Sequence, residues 1–187
     1  MTSKRTFFII AFALFALIAK AQHKLHFDLD YNYNLGLSMH TKYASIKRSE
    51  YKMGGHALHF AARYDVMSRL SVGAGVGLNL YTTPDFNALP IYATLRYKPF
   101  RKTLKPYVFS DLGYCVGDND KFRNGFTSRW GIGYTHMFRK HFGMNFQLGY
   151  NLEAIQDTYL IWTENDIYNV KGTTKRHSIT LGVGLTF

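Results

Sequence analysis

From Leu25 onward, apolar and polar positions alternate with a period of two, the spacing of a β-strand whose two faces meet different surroundings. In the first segment the apolar face is Leu25, Phe27, Leu29, Tyr31, Tyr33, Leu35, Leu37 and Met39. The polar face is His26, Asp28, Asp30, Asn32, Asn34, Gly36 and Ser38. That run is longer than an ordinary soluble strand. The pattern recurs in seven more segments. Their apolar faces are Leu58 to Val66, Val72 to Leu80, Ile91 to Tyr97, Val108 to Val116, Phe126 to Phe138, Met144 to Leu152 and Ile179 to Phe187. The fifth is the least regular, with Val108, Leu112, Tyr114 and Val116 read outward and Asp111 and Gly113 inward.

Eight amphipathic strands can close on themselves and leave no unpaired edge. The fold class expected is therefore all-β, an eight-stranded antiparallel up-and-down transmembrane barrel. The connections support alternation of two ends. Those near residues 67–70 and 139–141 are tight, and 99–105 is somewhat longer. The first and seventh, near 40–55 and 154–175, are the longest, and the third is read over 82–88. Short inner turns and longer outer loops are the habit of outer-membrane barrels.

A soluble ligand-carrying barrel also alternates, with its apolar face inward. The composition of the polar face argues against that periplasmic, lipocalin-like alternative. It holds Gly73, Gly75, Gly77, Gly131, Gly133, Gly149, Gly182 and Gly184. Glycine weakens a solvated strand but makes room inside a narrow lumen. The same face holds Asp28, Asp30, Asp65, Asp111 and Glu153 against Arg63, Arg96, Lys98, Arg129 and Arg176. Near-balance suits a packed polar interior, where an unpaired charge is costly. The apolar face carries Tyr31, Tyr33, Tyr64, Tyr97, Trp130, Tyr134, Phe138 and Tyr150, as interfacial aromatic belts do.

Composition adds the compartment. Aromatics make up 17% of the 187 residues and charged residues only 19%, and the mean hydropathy of -0.18 is what alternating faces produce. Lys4 and Arg5, the apolar run Phe7 to Ile18, and Ala19-Lys20-Ala21 read as a signal peptide over residues 1–21, leaving residues 22–187 as the barrel domain. The single Cys115 excludes an internal disulfide and an acylated N-terminal cysteine. Without Lys4, Arg5 and Lys20 the balance is 20 basic to 12 acidic residues. With the basic residues spread over turns and loops, no nucleic acid is expected, and anionic lipid is the expected partner.

The last residues, Ile179, Leu181, Val183, Leu185 and Phe187, look like the C-terminal insertion signal read by the outer-membrane assembly machinery. The stretch LPIYATLRYKP from Leu89, followed by KPY ending at Tyr107, resembles the outer-membrane β-barrel domain family of Bacteroidota, related in architecture to small OmpA- and OmpX-like barrels. Gln22 after the cleavage site fits that group. The resemblance spans residues 22–187 and implies a Gram-negative outer-membrane location. It is nearly silent on function. With no further C-terminal domain, peptidoglycan anchoring of the OmpA kind is not implied.

The search for chemistry yields little. His177 and Ser178 are adjacent, so they point to opposite faces and cannot form a nucleophile–base pair for lipid A deacylation. Only residues 22–24 precede the first strand, too few for the amphipathic helix of a palmitoyltransferase. His26, His59 and Asp28 could approach one another, but satisfied interior histidines are the simpler reading. No cofactor is expected. Lys47, Arg48 and Lys52 in the first loop suggest contact with lipopolysaccharide phosphates, beside the alternative of a solvated surface. The seventh connection, with Trp162 among other apolar residues, alternates as if the last two strands continue beyond the membrane. The functional expectation is a non-enzymatic barrel, structural or interaction-mediating through its loops. The alternatives are an adhesin using that ribbon for an extracellular protein partner, a lipid A-modifying enzyme, and a narrow pore.

Overall fold

The computed structural model describes residues 24–42, 44–82, 85–100, 106–117, 122–139, 142–162 and 167–187. Residues 1–21, read as a signal peptide, therefore lie outside the described residues. The strands are β1 (Leu25–His40), β2 (Ser45–Lys47), β3 (Gly55–Met67), β4 (Leu70–Thr82), β5 (Asp85–Tyr97), β6 (Pro106–Val116), β7 (Gly125–Arg139), β8 (Phe142–Trp162) and β9 (Ile167–Thr186). Apart from the three-residue β2, each strand pairs antiparallel with its neighbours in the order β1-β3-β4-β5-β6-β7-β8-β9, and β9 returns to β1. The result is a closed eight-stranded barrel. Backbone bonds between Phe27 and Phe187, at 2.8 and 3.1 Å, close the seam up to the final residue.

Closure follows from the alternating pattern. Phe27, Leu29, Tyr31, Leu58, Phe60, Val76, Ile91, Leu112, Trp130, Ile132, Phe146 and Leu181 all stand exposed on the outer wall, while Asp28, Asp30, Arg63, Arg96, Asp111, Arg129 and Glu153 are buried within. A lipocalin-like carrier is the reverse of this arrangement. So many large apolar side chains facing outward are favourable only against lipid.

Three register shifts bend the ladder, at Leu37 in β1, between Asp65 and Met67 in β3, and between Met137 and Arg139 in β7. The first corrects the sequence reading. Gly36 pairs with Ser178 and Ser38 with His177, so Leu37 is an extra residue on β1. Beyond it the faces exchange. Met39, expected outside, is buried in the lumen beside Arg176, and Ser38, expected inside, faces out opposite His177.

Two further differences concern lengths. β5 begins at Asp85 and pairs with Thr82, so the third connection is a tight hairpin rather than the loop read over 82–88. β6 is regular, with Tyr107, Phe109, Asp111 and Cys115 buried inside. β8 and β9 do continue as a ribbon. The last β7–β8 rung is Gly125–Ile155 and the last β1–β9 rung is His40–Lys175. From Gln156–Thr173 to Trp162–Ile167, β8 and β9 pair only with each other among the described residues.

Candidate functional site: a filled lumen and a long-loop rim

Inward positions on neighbouring strands lie side by side, so the lumen charges meet in clusters fixed by register. Asp28 faces Arg63 and Arg96. Arg63 holds it through two bonds, Nε to Oδ2 and Nη2 to Oδ1, the latter 3.0 Å. Arg96 Nη2 lies 3.3 Å from both Asp28 and Asp30. Asn145 donates to Asp28 at 3.1 Å and to Asp30 at 3.3 Å. Gln147 bridges Asp30 at 3.0 Å to the Tyr107 hydroxyl at 3.2 Å. Charge-assisted bonds of this kind offset the cost of removing ions from water.

One layer up, Arg129 grips Asp111 through Nε and Nη2, at 2.9 and 2.6 Å. Toward the other end, Glu153 accepts from Asn79 at 2.5 Å, and the Arg176 guanidinium covers the Tyr81 ring at 4.3 Å. Arg176 also donates to the Gly54 carbonyl at 3.1 Å. Asp65 stands apart, near the tight-turn end, with His26 at 3.0 Å and Ser71 at 2.5 Å. Of the ten charges read onto the lumen face, nine thus fall into several local clusters, and Lys98 is half-buried just past the end of β5.

Aromatic side chains fill the gaps. Tyr107 lies under Arg96, its ring centroid 4.7 Å from the guanidinium, and passes over Gly133, where a Cβ would meet the Tyr107 hydroxyl at 2.6 Å. Tyr92 covers Gly75 in the same way, at 2.6 Å. Inward Tyr81, Phe86, Tyr107 and Phe109 break the polar pattern of their face, which is why alternation alone did not find them. The cavity lined by His59, Asn79, Tyr92, Asp111 and Arg129 holds only about 10 Å³, room for about one water.

His26, His59 and Asp28 do not come together. His59 bonds Asn79 at 2.8 Å, His26 bonds Asp65, and Asp28 is taken by arginines. Among the described residues no three His, Cys, Asp or Glu side chains converge. Ser178 is buried in the lumen and His177 is on the outer wall, so they do not meet.

The long-connection end carries the remaining features. Loop one folds back over the lumen. Arg48 Nη1 donates to the carbonyls of Met53, at 2.8 Å, and Gly36, at 3.3 Å, and Met53 is buried. Arg48, read as loop surface, is a half-buried clamp, whereas Lys47 and Lys52 are exposed. The side chain of Trp162 lies outside the described residues. At the ribbon base, Arg123 pairs with Asp157 at 2.5 Å, and Thr174 donates to Asp157 at 3.3 Å.

A closed barrel with an apolar wall and an ion-paired lumen defines a transmembrane β-barrel. No known family's sequence profile matches the chain, and no curated protein does either. Solved structures do match in fold. Neisserial surface protein A superposes with a TM-score of 0.56 at 16% identity, over 87% of this chain and 97% of that one. The outer membrane protein OprG from Pseudomonas aeruginosa superposes with a TM-score of 0.51 at 14% identity, over 88% and 96%. Both are small outer-membrane barrels, and at such identities the likeness is one of fold. The resemblance to a Bacteroidota family rests on the sequence signals alone.

Proposed function

We propose that this protein is an exported outer-membrane barrel that neither conducts nor catalyses. Its working surface is its extracellular end, with the β8–β9 ribbon as the element that engages a partner protein. The observation that carries this reading is a contrast between the two halves of the molecule. The lumen is occupied by paired ions and aromatic rings, and the cavity among His59, Asn79, Tyr92, Asp111 and Arg129 holds about 10 Å³. The ribbon extends seven rungs beyond the barrel, from Gln156–Thr173 to Trp162–Ile167. At roughly 3.3 Å per residue that is about 20 Å of two-stranded sheet. Beyond Gln156, whose N–H donates to the Asn124 carbonyl at 2.7 Å, β8 and β9 pair with no third strand among the described residues, and the edge of such a two-stranded ribbon can accept an added strand. The Arg123–Asp157 pair braces its base.

Two experiments test the reading. Planar-bilayer recordings of the purified barrel should show no stable single-channel steps, and regular steps would replace it with the narrow pore. Replacing residues 157–172 by a two-residue turn should leave the heat-modifiable gel shift intact and abolish binding to whole cells or extracellular proteins. Binding that survives the deletion would move the working surface away from the ribbon.

A further inference from the structure

The bulge at Leu37 has a consequence on the outer wall. Past it, β1 pairs Ser38 with His177, Met39 with Arg176 and His40 with Lys175. Met39 and Arg176 are buried inside, so Ser38, His40, Lys175 and His177 face outward. β2 adds Lys47, paired with Ser38 and exposed. His40, Lys47, Lys175 and His177 therefore converge on one patch of the wall, drawn from three adjacent strands. The His40 and His177 rings meet edge to face, 5.4 Å apart. Glu50, the neighbouring carboxylate on the turn, is engaged by the Lys47 backbone N–H at 3.2 Å.

The height of the patch is fixed by an aromatic ladder. Trp130 packs on Tyr150 at 5.1 Å, and Tyr150 lies 6.0 Å from the His177 ring and is hydrogen-bonded to its Nδ1. Trp and Tyr mark the level where hydrocarbon gives way to headgroups. Leu35, Ile179 and Leu181 continue down the same strands on the lipid side. The cations thus stand one step above the hydrocarbon, facing sideways into the leaflet. When Tyr150 donates to Nδ1, the neutral His177 ring carries its proton on Nε2 and presents a donor.

We propose that His40, Lys47, Lys175 and His177 form a site for the phosphate of a lipid headgroup in the outer leaflet, with the acyl chains lying along the wall below. Two ammonium groups and two imidazoles match a phosphate's charge and acceptor oxygens, and lateral exposure favours a lipid over a soluble anion. The inference rests on the outer-membrane reading above.

The test uses the full barrel in phosphatidylcholine nanodiscs, with folding verified by the heat-modifiable shift. The probe is diphosphorylated lipid A, scored by native mass spectrometry against its dephosphorylated form and against inorganic phosphate. Wild type should retain the phosphorylated lipid at least tenfold better than the dephosphorylated one. The H40Q/K47Q/K175Q/H177Q variant should lose that preference, and K52Q should keep it. K47Q and K175Q singly, both at exposed positions, should each weaken it and cover the case in which the quadruple variant does not fold. Equal binding by folded quadruple variant and wild type would overturn the site. Full displacement by millimolar inorganic phosphate would overturn the lipid assignment. A wild-type chain that shows no heat-modifiable shift would instead overturn the outer-membrane reading itself.

Discussion

Arg96 stands between Asp28 and Asp30 on β1, with one guanidinium nitrogen 3.3 Å from a carboxylate oxygen of each. The two aspartates are two residues apart on one strand, so both point inward, and their mutual repulsion is offset by the arginine facing them from β5. Arg63 on the adjacent β3 supplies the second cation through Asp28.

Removing one member of such a cluster should cost more than the cluster itself contributes. Asp28→Asn leaves Arg63 and Arg96 buried with a single nearby carboxylate. Breaking a buried ion pair from one side typically costs about 3–5 kcal/mol. Urea titration of the variant in lipid vesicles, followed by tryptophan fluorescence, should show that loss. Asp65→Asn, at the half-exposed pair with His26, should cost well under half as much.

The filled lumen also makes a packing prediction. Gly133 lies beneath the Tyr107 ring, so Gly133→Ala forces the ring away from Arg96 and Gln147. Overpacking of this kind costs about 1–3 kcal/mol. The gel-shift transition should fall to lower temperature in Gly133→Ala. Tyr107→Phe, which keeps the ring and loses only the Gln147 bond, should lower it less.

The wall and the lumen were legible because a barrel in lipid needs period two on every strand, and the charges of Asp28, Arg63, Arg96 and Arg129 sit where alternation puts them. Neither the aromatic fill nor the phase of the rim was legible. The third connection reads as short, but nothing in the pattern says that Thr82 pairs directly with Asp85 so that Tyr81 and Phe86 meet inside. Tyr107 and Phe109 are aromatic residues in phase with Asp111 that the pattern left unassigned. Sequence periodicity also carries across an extra residue without marking it. Met39 and Ser38 were therefore placed on the wrong faces.

Cys115 gives a direct readout of closure. Its side chain is buried, on an inward position of β6. A water-soluble thiol reagent should leave it unmodified in the folded barrel for hours and modify it stoichiometrically in guanidinium. Rapid modification without denaturant would mean that the lumen toward the long-connection end is open to solvent, contrary to the packing of Tyr81, Phe86 and Ile155 into a buried cluster.

The bulge at Leu37 can be tested residue by residue, because its effect is a change of face. An unbulged β1 would place Met39 in lipid and His40 in the lumen. The bulged strand does the opposite, burying Met39 and exposing His40. In a Cys115→Ser background, His40→Cys should react readily with a membrane-impermeant maleimide on intact cells, and Met39→Cys should be protected. Deleting Leu37 removes the extra residue and joins Gly36 directly to Ser38, which preserves the phase beyond it. His40→Cys should therefore stay reactive in the deletion variant. What the deletion does remove is the Leu37 carbonyl, which accepts from the Arg48 backbone N–H at 2.9 Å and helps hold loop one over the lumen. Loop one should then become more sensitive to protease while the facing of β1 stays the same. Exchanged labelling of the two cysteines in the wild-type background would refute the bulge and, with it, the convergence of His40 and His177 on the outer wall.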